Sequence, residues 1–363
     1  MKIVVYAISK NEEPFAERWM ASMSEADEVV VLDTGSTDGT VSSLRARGAR
    51  VVEKSISPWR FDRARNCSLD LVREDADICV CTDLDELFHP GWRKALERQW
   101  VPGTTQASYR YTWSFQDDGS EGVVFWAEKI HSRHGWHWTH PVHEVLQWVG
   151  PGSPGGRVEA EGVQLDHHPD FSKSRGQYLP LLELSVAEDP TDDRNMHYLG
   201  REYLYKGRWD DCIRTLLRHL SMPTALWRDE RAASMRYIAR AYAAKNQPRE
   251  ARDWYLRAIA EAPHLREPYM DLALLLYQEE DWEGVLYFTG CALAITERPR
   301  TYICEAASWG SLPYDLRAIA FHHTARRLEA AQSAETALAL EPSSGRLRSN
   351  AALLRELAGQ TGG

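Results

Sequence analysis

The stretch from Asp77 to Glu86, D-I-C-V-C-T-D-L-D-E, constrains this chain more than any other. A short apolar run of β-prone residues, Ile78 to Cys81, stops at Asp83, Asp85 and Glu86, with only Leu84 between the carboxylates. The pattern predicts a buried strand ending in an acidic turn. In an open α/β sheet the ligand crevice lies beyond the carboxyl ends of the strands, so acids placed there face the crevice and not the core. Asp83 and Asp85 can together hold one hard divalent cation, Mg2+ or Mn2+, completed by waters and phosphate oxygens. A lone D-x-D is more often a solvated loop, so its neighbours must decide.

Upstream, Lys2 to Ile8 reads as an apolar strand, followed by a helix in which Phe15, Trp19 and Met23 share a face and Pro14 occupies the first turn. Glu28 to Leu32 reads as a second strand that ends at Asp33 in D-T-G-S-T-D-G-T. Gly35 and Gly39 allow tight turns there, and Thr37 or Asp38 can cap the next helix. Asp33 projects from a strand end, where a carboxylate can accept from a nucleobase imide or a ribose hydroxyl. A third strand falls at Arg50 to Glu53, a helix at Phe61 to Glu74 and another at Pro90 to Gln99. This alternation predicts βαβ units and a mainly parallel sheet. No G-x-G-x-x-G follows the first strand and no G-x-x-x-x-G-K-[ST] occurs, which disfavours dinucleotide oxidoreductases and P-loop enzymes.

Beyond Val101 the texture changes to short aromatic segments, Ala107 to Phe115 and Val123 to Ile130, then G-W-H-W-T-H-P-V-H-E-V-L-Q-W. They read as antiparallel strands added to the sheet edge, with a hairpin turn at Asp117-Asp118-Gly119. Many of the chain's 14 tryptophans lie between Trp100 and Trp148, which predicts a surface for flat, partly apolar ligands such as sugars. His143 and Glu144 close this region, and Asp166-His167-His168 follows another apolar run.

Five motifs in order, K-N-E-E, D-T-G-S-T-D-G-T, F-D-R-A-R-N, D-L-D-E and V-H-E, resemble those of family-2 glycosyltransferases with the nucleotide-diphospho-sugar (GT-A) fold. The resemblance covers the first 175 residues. It implies a metal-dependent transferase using a nucleotide-sugar donor, most naturally a UDP-sugar. Ser9, Asn11, Glu12, Asp33, Arg65 and Asp83 would then contact the nucleotide, Asp83 and Asp85 would bracket Mn2+ or Mg2+, and His167 or His168 would approach the metal. Lys173 and Arg175 are candidate helpers for the diphosphate, equally readable as surface charges beside a linker. Family-2 enzymes generally invert the anomeric centre by single displacement, which needs one base. Many use an E-D pair that is missing here at the expected place, so Glu144 of V-H-E, beside His143, is the substitute.

From Tyr178 onward the chain is helical and repetitive. Segments beginning at Leu199, Ile238, Leu272 and Ala318 align, and Ile238 to Leu272 spans the 34-residue tetratricopeptide period. The expected division is a GT-A domain at 1–175 and an α-solenoid of tetratricopeptide-like repeats at 176–363, with Gln360 to Gly363 frayed. A solenoid joined to a transferase resembles the architecture of peptide S-glycosyltransferases and implies a peptide or protein acceptor; it also offers a route to a homo-oligomer. The alternatives are a glycan, lipid or modified DNA base as acceptor, or a non-catalytic scaffold with a relic transferase domain. A formal charge of −10 argues against non-specific nucleic-acid binding. The six cysteines form no C-x-x-C pair, and Cys79 and Cys81 would share one strand face in the core. No apolar run is long enough to span a membrane and no secretory signal opens the chain, so a cytoplasmic setting is expected.

Overall fold

The computed structural model describes residues 1–116, 119–170 and 176–360. It divides into two compact units, Met1–Ser185 and Val186–Gly363.

The first unit opens with β1 (Ile3–Ser9), α1 (Glu13–Ser22), β2 (Glu28–Asp33), α2 (Thr40–Ala46), β3 (Arg50–Glu53), α3 (Phe61–Asp70) and β4 (Ile78–Cys81). Then come β5 (Glu86–Phe88), α4 (Trp92–Gln99), β6 (Thr104–Thr112), β7 (Val124–Ser132), β8 (Trp136–Thr139), β9 (Val145–Trp148) and β10 (Gly156–His167). An eight-stranded mixed sheet runs in the order β3-β2-β1-β4-β7-β6-β10-β5, and β8 and β9 form a separate hairpin. Strands β3, β2, β1 and β4 are mutually parallel, as the βαβ alternation requires. Among the later strands, β7 is antiparallel to β4 and β6, as expected of the aromatic segments, while β10 runs parallel to β6.

Both faces of the parallel strands are covered, which is why they read as continuous apolar runs. Along β1, Ile3, Val5 and Ala7 pack with Ala16, Trp19 and Met23 on one side. Val4 and Tyr6 pack with Leu69, Val72 and Trp138 on the other. Cys79 and Cys81 are buried on that second face, and burial pushes their thiols up to about 12 and about 11. The third helix ends at Asp70, short of the expected Glu74, because Leu71 and Val72 close it with backbone bonds to Ser68 and Leu69.

The second unit, with the end of α5 (Tyr178–Glu188) at its start, is built from helix pairs: α6 (Asp193–Tyr205) with α7 (Trp209–Ser221), α8 (Arg228–Ala244) with α9 (Pro248–Glu261), α10 (Arg266–Gln278) with α11 (Trp282–Ala294), and α12 (Leu312–His323) with α13 (Arg327–Leu340). A last helix, α14 (Gly345–Gly359), follows; residues 361–363 of the expected frayed end lie outside the described residues. Each pair turns on one left-handed residue, Gly207, Asn246, Glu280 or Ala325, with φ of 71°, 59°, 59° and 59°. At each turn the next amide donates back to a carbonyl five residues earlier, Arg208 to Tyr203, Gln247 to Tyr242, Asp281 to Leu276 and Arg326 to Phe321. This is the six-to-one bond that closes a helix end. The recurrence explains why the copies align despite little identity: geometry repeats where side chains do not. Small residues allow close helix approach as well; a Cβ on Gly200 of α6 would stand 2.3 Å from Leu216 Cδ2 of α7.

Candidate active site

Because β1, β2 and β4 are parallel and in register, their carboxyl ends meet on one edge, with Ser9 opposite Asp33 and Tyr6 opposite Cys81. Asp33 is 1% exposed. Its carboxylate accepts from Ser9 Oγ (2.9 Å), Gly35 N (3.0 Å), Ser36 N (2.9 Å) and the Ser36 hydroxyl, so it organises the D-T-G-S loop from within. The loop after β1 is stitched to the same turn. Asn11 N donates to Ser36 Oγ (2.8 Å), Asn11 Oδ1 accepts from Thr37 N (2.8 Å), and Glu12 N donates to Thr40 Oγ1 (2.7 Å). Asp38 accepts from the amide and hydroxyl of Thr40, the first residue of α2, but the N-cap is Gly39 and no side chain caps the helix, so neither Thr37 nor Asp38 fills that position.

The acidic turn is an ion-pair network. Asp83 Oδ1 lies 2.7 Å from Arg65 Nη2 and Asp83 Oδ2 lies 3.2 Å from Lys129 Nζ. Burial pushes the Asp83 carboxyl up, but Arg65 and then Lys129 overcome it and hold the group well below the usual carboxylate range. Arg65, on the buried side of α3, also donates from Nε to Glu144 Oε1 (2.9 Å) and its guanidinium lies 5.7 Å from the Trp138 ring centroid. One arginine therefore links the strand-end aspartate to the V-H-E segment. There the backbone of His143 takes a positive φ of 52°, and its ring stands edge-on to Tyr178 at 6.0 Å.

Glu86 corrects the expectation that all three acids face the crevice. It is 1% exposed and begins β5. Its carboxylate takes Tyr111 OH (2.8 Å), Lys129 Nζ (2.8 Å) and the amide of Asp83 (2.9 Å), so it locks the turn from beneath.

Asp85 points to the other end of the network. His167 Nε2 is 3.4 Å from Asp85 Oδ2, while His167 Nδ1 is 2.9 Å from the Trp113 carbonyl, and the amide of His168 donates to Asp85 O (2.7 Å). Burial lowers the His167 imidazole, but the hydrogen bond and charge of Asp85 raise it above its ordinary value. His168 is lowered, by burial and then by Arg18, and its ring stacks on Phe115 at 5.4 Å. The two neighbours thus differ in role: His167 is joined to the acidic turn, and His168 is packed on an aromatic ring. Lys173 and Arg175 lie outside the described residues, as do Asp117 and Asp118 of the expected hairpin turn.

The donor set fits a divalent cation at Asp85 and His167. Without a cation, Asp85 favours a proton on His167 Nε2; with Nδ1–H given to the Trp113 carbonyl, loss of that proton turns the Nε2 lone pair to a cation shared with Asp85, the arrangement that metal-binding imidazoles adopt. Asp83 has both oxygens in ion pairs.

Lys129 was not singled out from the sequence. It stands where β7 carries an extra residue against β6: Ala107 faces Ile130 and Tyr109 faces Ala127, so three residues of β7 span two of β6. Bulges re-aim side chains in this way. The tryptophan-rich segment also needs correction as a sugar surface. Trp136 and Trp138 are core residues whose indole N–H groups donate to the Thr105 carbonyl and to Tyr6 OH, whereas Trp113 is 41% exposed beside His167.

Residues 4–138 match the family model described as Glycosyl transferase family 2. Among solved structures, the helical region is similar to MamA, at 18% identity and a TM-score of 0.37, covering 45% of this chain and 86% of that one. PilF of Pseudomonas aeruginosa gives 14% identity and a TM-score of 0.38 over 47% and 70% of the two chains. The TPR domain of Arabidopsis OM64 gives 20% and 0.31 over 36% and 98%. The chain carries a family-2 glycosyltransferase domain, followed by a tetratricopeptide-like all-helical region. Among the described residues no helix is long and apolar enough to cross a membrane.

Proposed function

We propose that the first unit is a metal-dependent, inverting glycosyltransferase that moves a sugar from a nucleotide-diphosphate donor, most naturally a UDP-sugar, to a peptide or protein. The observation that supports this best is that Asp83 and Asp85 follow the carboxyl end of β4 within the residues matching the family-2 model, and that His167, at the end of β10, reaches Asp85. The catalytic portion is assigned to 1–175 and acceptor recognition to the repeats from 176 onward, in the cytoplasm.

Ser9, Asn11, Glu12 and Asp33 shape the loops that receive the nucleotide. Asp85 and His167 would hold a Mn2+ or Mg2+ ion, which when bound would supply charge neutralisation for the leaving diphosphate. Arg65 and Lys129 add fixed positive charge beside that position, where negative charge grows as the anomeric C–O bond breaks. Glu144 takes the proton from the acceptor nucleophile; Arg65 fixes Oε1 and leaves Oε2 for this task.

The test is thermal denaturation of the full chain with UDP-, GDP-, dTDP- and CMP-sugars, in Mn2+, Mg2+ or chelator, for wild type and Asp85→Ala. A donor at about 100 times its Kd stabilises by about 2.7 kcal/mol. For a unit of this size that raises the melting point by about 5–11 °C. The expected shift vanishes with chelator and in Asp85→Ala. A full shift in both would overturn the metal assignment, and no shift with any donor would overturn the donor assignment.

A further inference from the structure

In the second unit, three helix ends bring Asp193, His219 and Glu230 together. Asp193 opens α6, His219 lies in the last turn of α7 and Glu230 in the first turn of α8. One ligand atom from each lies within 4.8 Å of the other two, and among the described residues no other group of three does so. His219 is fully buried, and its Nε2 has no hydrogen-bond partner. That nitrogen stands 3.4 Å from Glu230 Oε1.

We propose that this cluster is a zinc site that ties α6, α7 and α8 together. Zn2+ takes imidazole nitrogen and carboxylate oxygen at about 2.0–2.2 Å, so two ligands on a tetrahedron stand about 3.3–3.5 Å apart. The His219–Glu230 separation matches that edge. The supporting contacts are also of the kind a metal ligand needs. His219 Nδ1 is 3.0 Å from Ser234 Oγ, which is 2.7 Å from His197 Nδ1, and Tyr302 OH donates to Glu230 Oε2. When Nδ1–H of His219 donates to Ser234, Nε2 presents its lone pair to the carboxylates.

Charge points the same way. Glu230 is buried, yet its described contacts are His219 and a tyrosine hydroxyl, with no lysine or arginine in an ion pair. A buried carboxylate is costly without a compensating charge. Asp193, half-buried, adds a second negative group with no ion pair of its own among the described residues. Three protein ligands leave a fourth position for water, on the partly exposed Asp193 side.

The full chain carrying Asp85→Ala separates this site from the transferase site. After removal of metal by a chelator, titration with Co2+ is expected to give the visible absorption of a four-coordinate ion at one equivalent, abolished by Zn2+. Zn2+ alone should raise the melting point of the same chain. Adding His219→Gln or Glu230→Gln should weaken Zn2+ binding about 100-fold or more, and Asp193→Asn about tenfold or more; Asp193→Asn decides the matter if the buried substitutions prevent folding. Absence of a cobalt spectrum and of bound zinc in the Asp85→Ala chain would overturn the proposal and make the cluster a buried histidine–carboxylate contact. Unchanged zinc affinity in Asp193→Asn and in a folded His219→Gln or Glu230→Gln variant would overturn it as well.

Discussion

Acidification should weaken the first unit through one histidine. His131 on β7 is fully buried in a chain of hydrogen bonds: Trp138 Nε1 donates to Tyr6 OH (2.8 Å), Tyr6 OH is 2.8 Å from His131 Nε2, and His131 Nδ1 is 2.7 Å from the Ser132 carbonyl. All the groups are satisfied only when the ring is neutral, with its proton on Nδ1 and Nε2 accepting from tyrosine. Burial lowers the imidazole to about 4, from an ordinary 6.5, against the pull of the Ser132 carbonyl and with help from Arg133. Between these values the unfolded chain binds a proton that the folded chain refuses, so stability rises with pH. The contribution is fully present above about pH 6.5 and is lost as pH falls toward 4. Two and a half pH units at 1.36 kcal/mol each amount to about 3 kcal/mol. In a unit of 185 residues that is about 6–12 °C of melting temperature. The assay is calorimetric melting from pH 7.5 to pH 4 for wild type and His131→Gln, whose amide oxygen can still accept from Tyr6 but does not titrate. Other groups cancel in the difference. Wild type should lose the extra 6–12 °C relative to the variant; curves that stay parallel would refute the reasoning.

Lys129→Met should lower the melting point of the first unit by about 5–10 °C, because Glu86 and Asp83 lose a cation while Glu86 keeps Tyr111 OH and one amide, a net cost of about 2–3 kcal/mol. Calorimetry checks it, and a change under about 1 °C would mean the lysine is not bound into the turn as described. In the second unit, Gly207→Ala should cost about 1 kcal/mol in urea denaturation, since the position has φ of 71° and the new Cβ meets nothing closer than 3.6 Å. Ala325→Gly, at φ of 59° in the equivalent turn, should shift stability in the opposite direction, and a same-sign result would contradict the shared turn geometry.

The sheet and the repeats were legible because each rests on local periodicity. Apolar runs at β1, β2 and β4 are what strands covered on both faces require, and the acids after Cys81 mark a strand end. The helix pairs showed in a 34-residue spacing. The site was legible only in part. Asp83, Arg65 and Glu144 were each marked by motif, and they do lie in one ion-pair chain. His167 and His168 could not be told apart, because adjacent residues on a strand end differ only in which neighbour each side meets: Asp85 for one, Phe115 for the other.

What the sequence determined by itself is the alternation of elements, the strand that stops at carboxylates and the repeat period, all consequences of side-chain order over a few residues. What tertiary structure alone decided is which charges share a site. Lys129 reaches Asp83 and Glu86 only because a bulge fixes how β7 pairs with β6, and Asp193, His219 and Glu230 converge from three helices. Pairing register and helix packing are set by contacts between distant segments, so no local pattern can carry them.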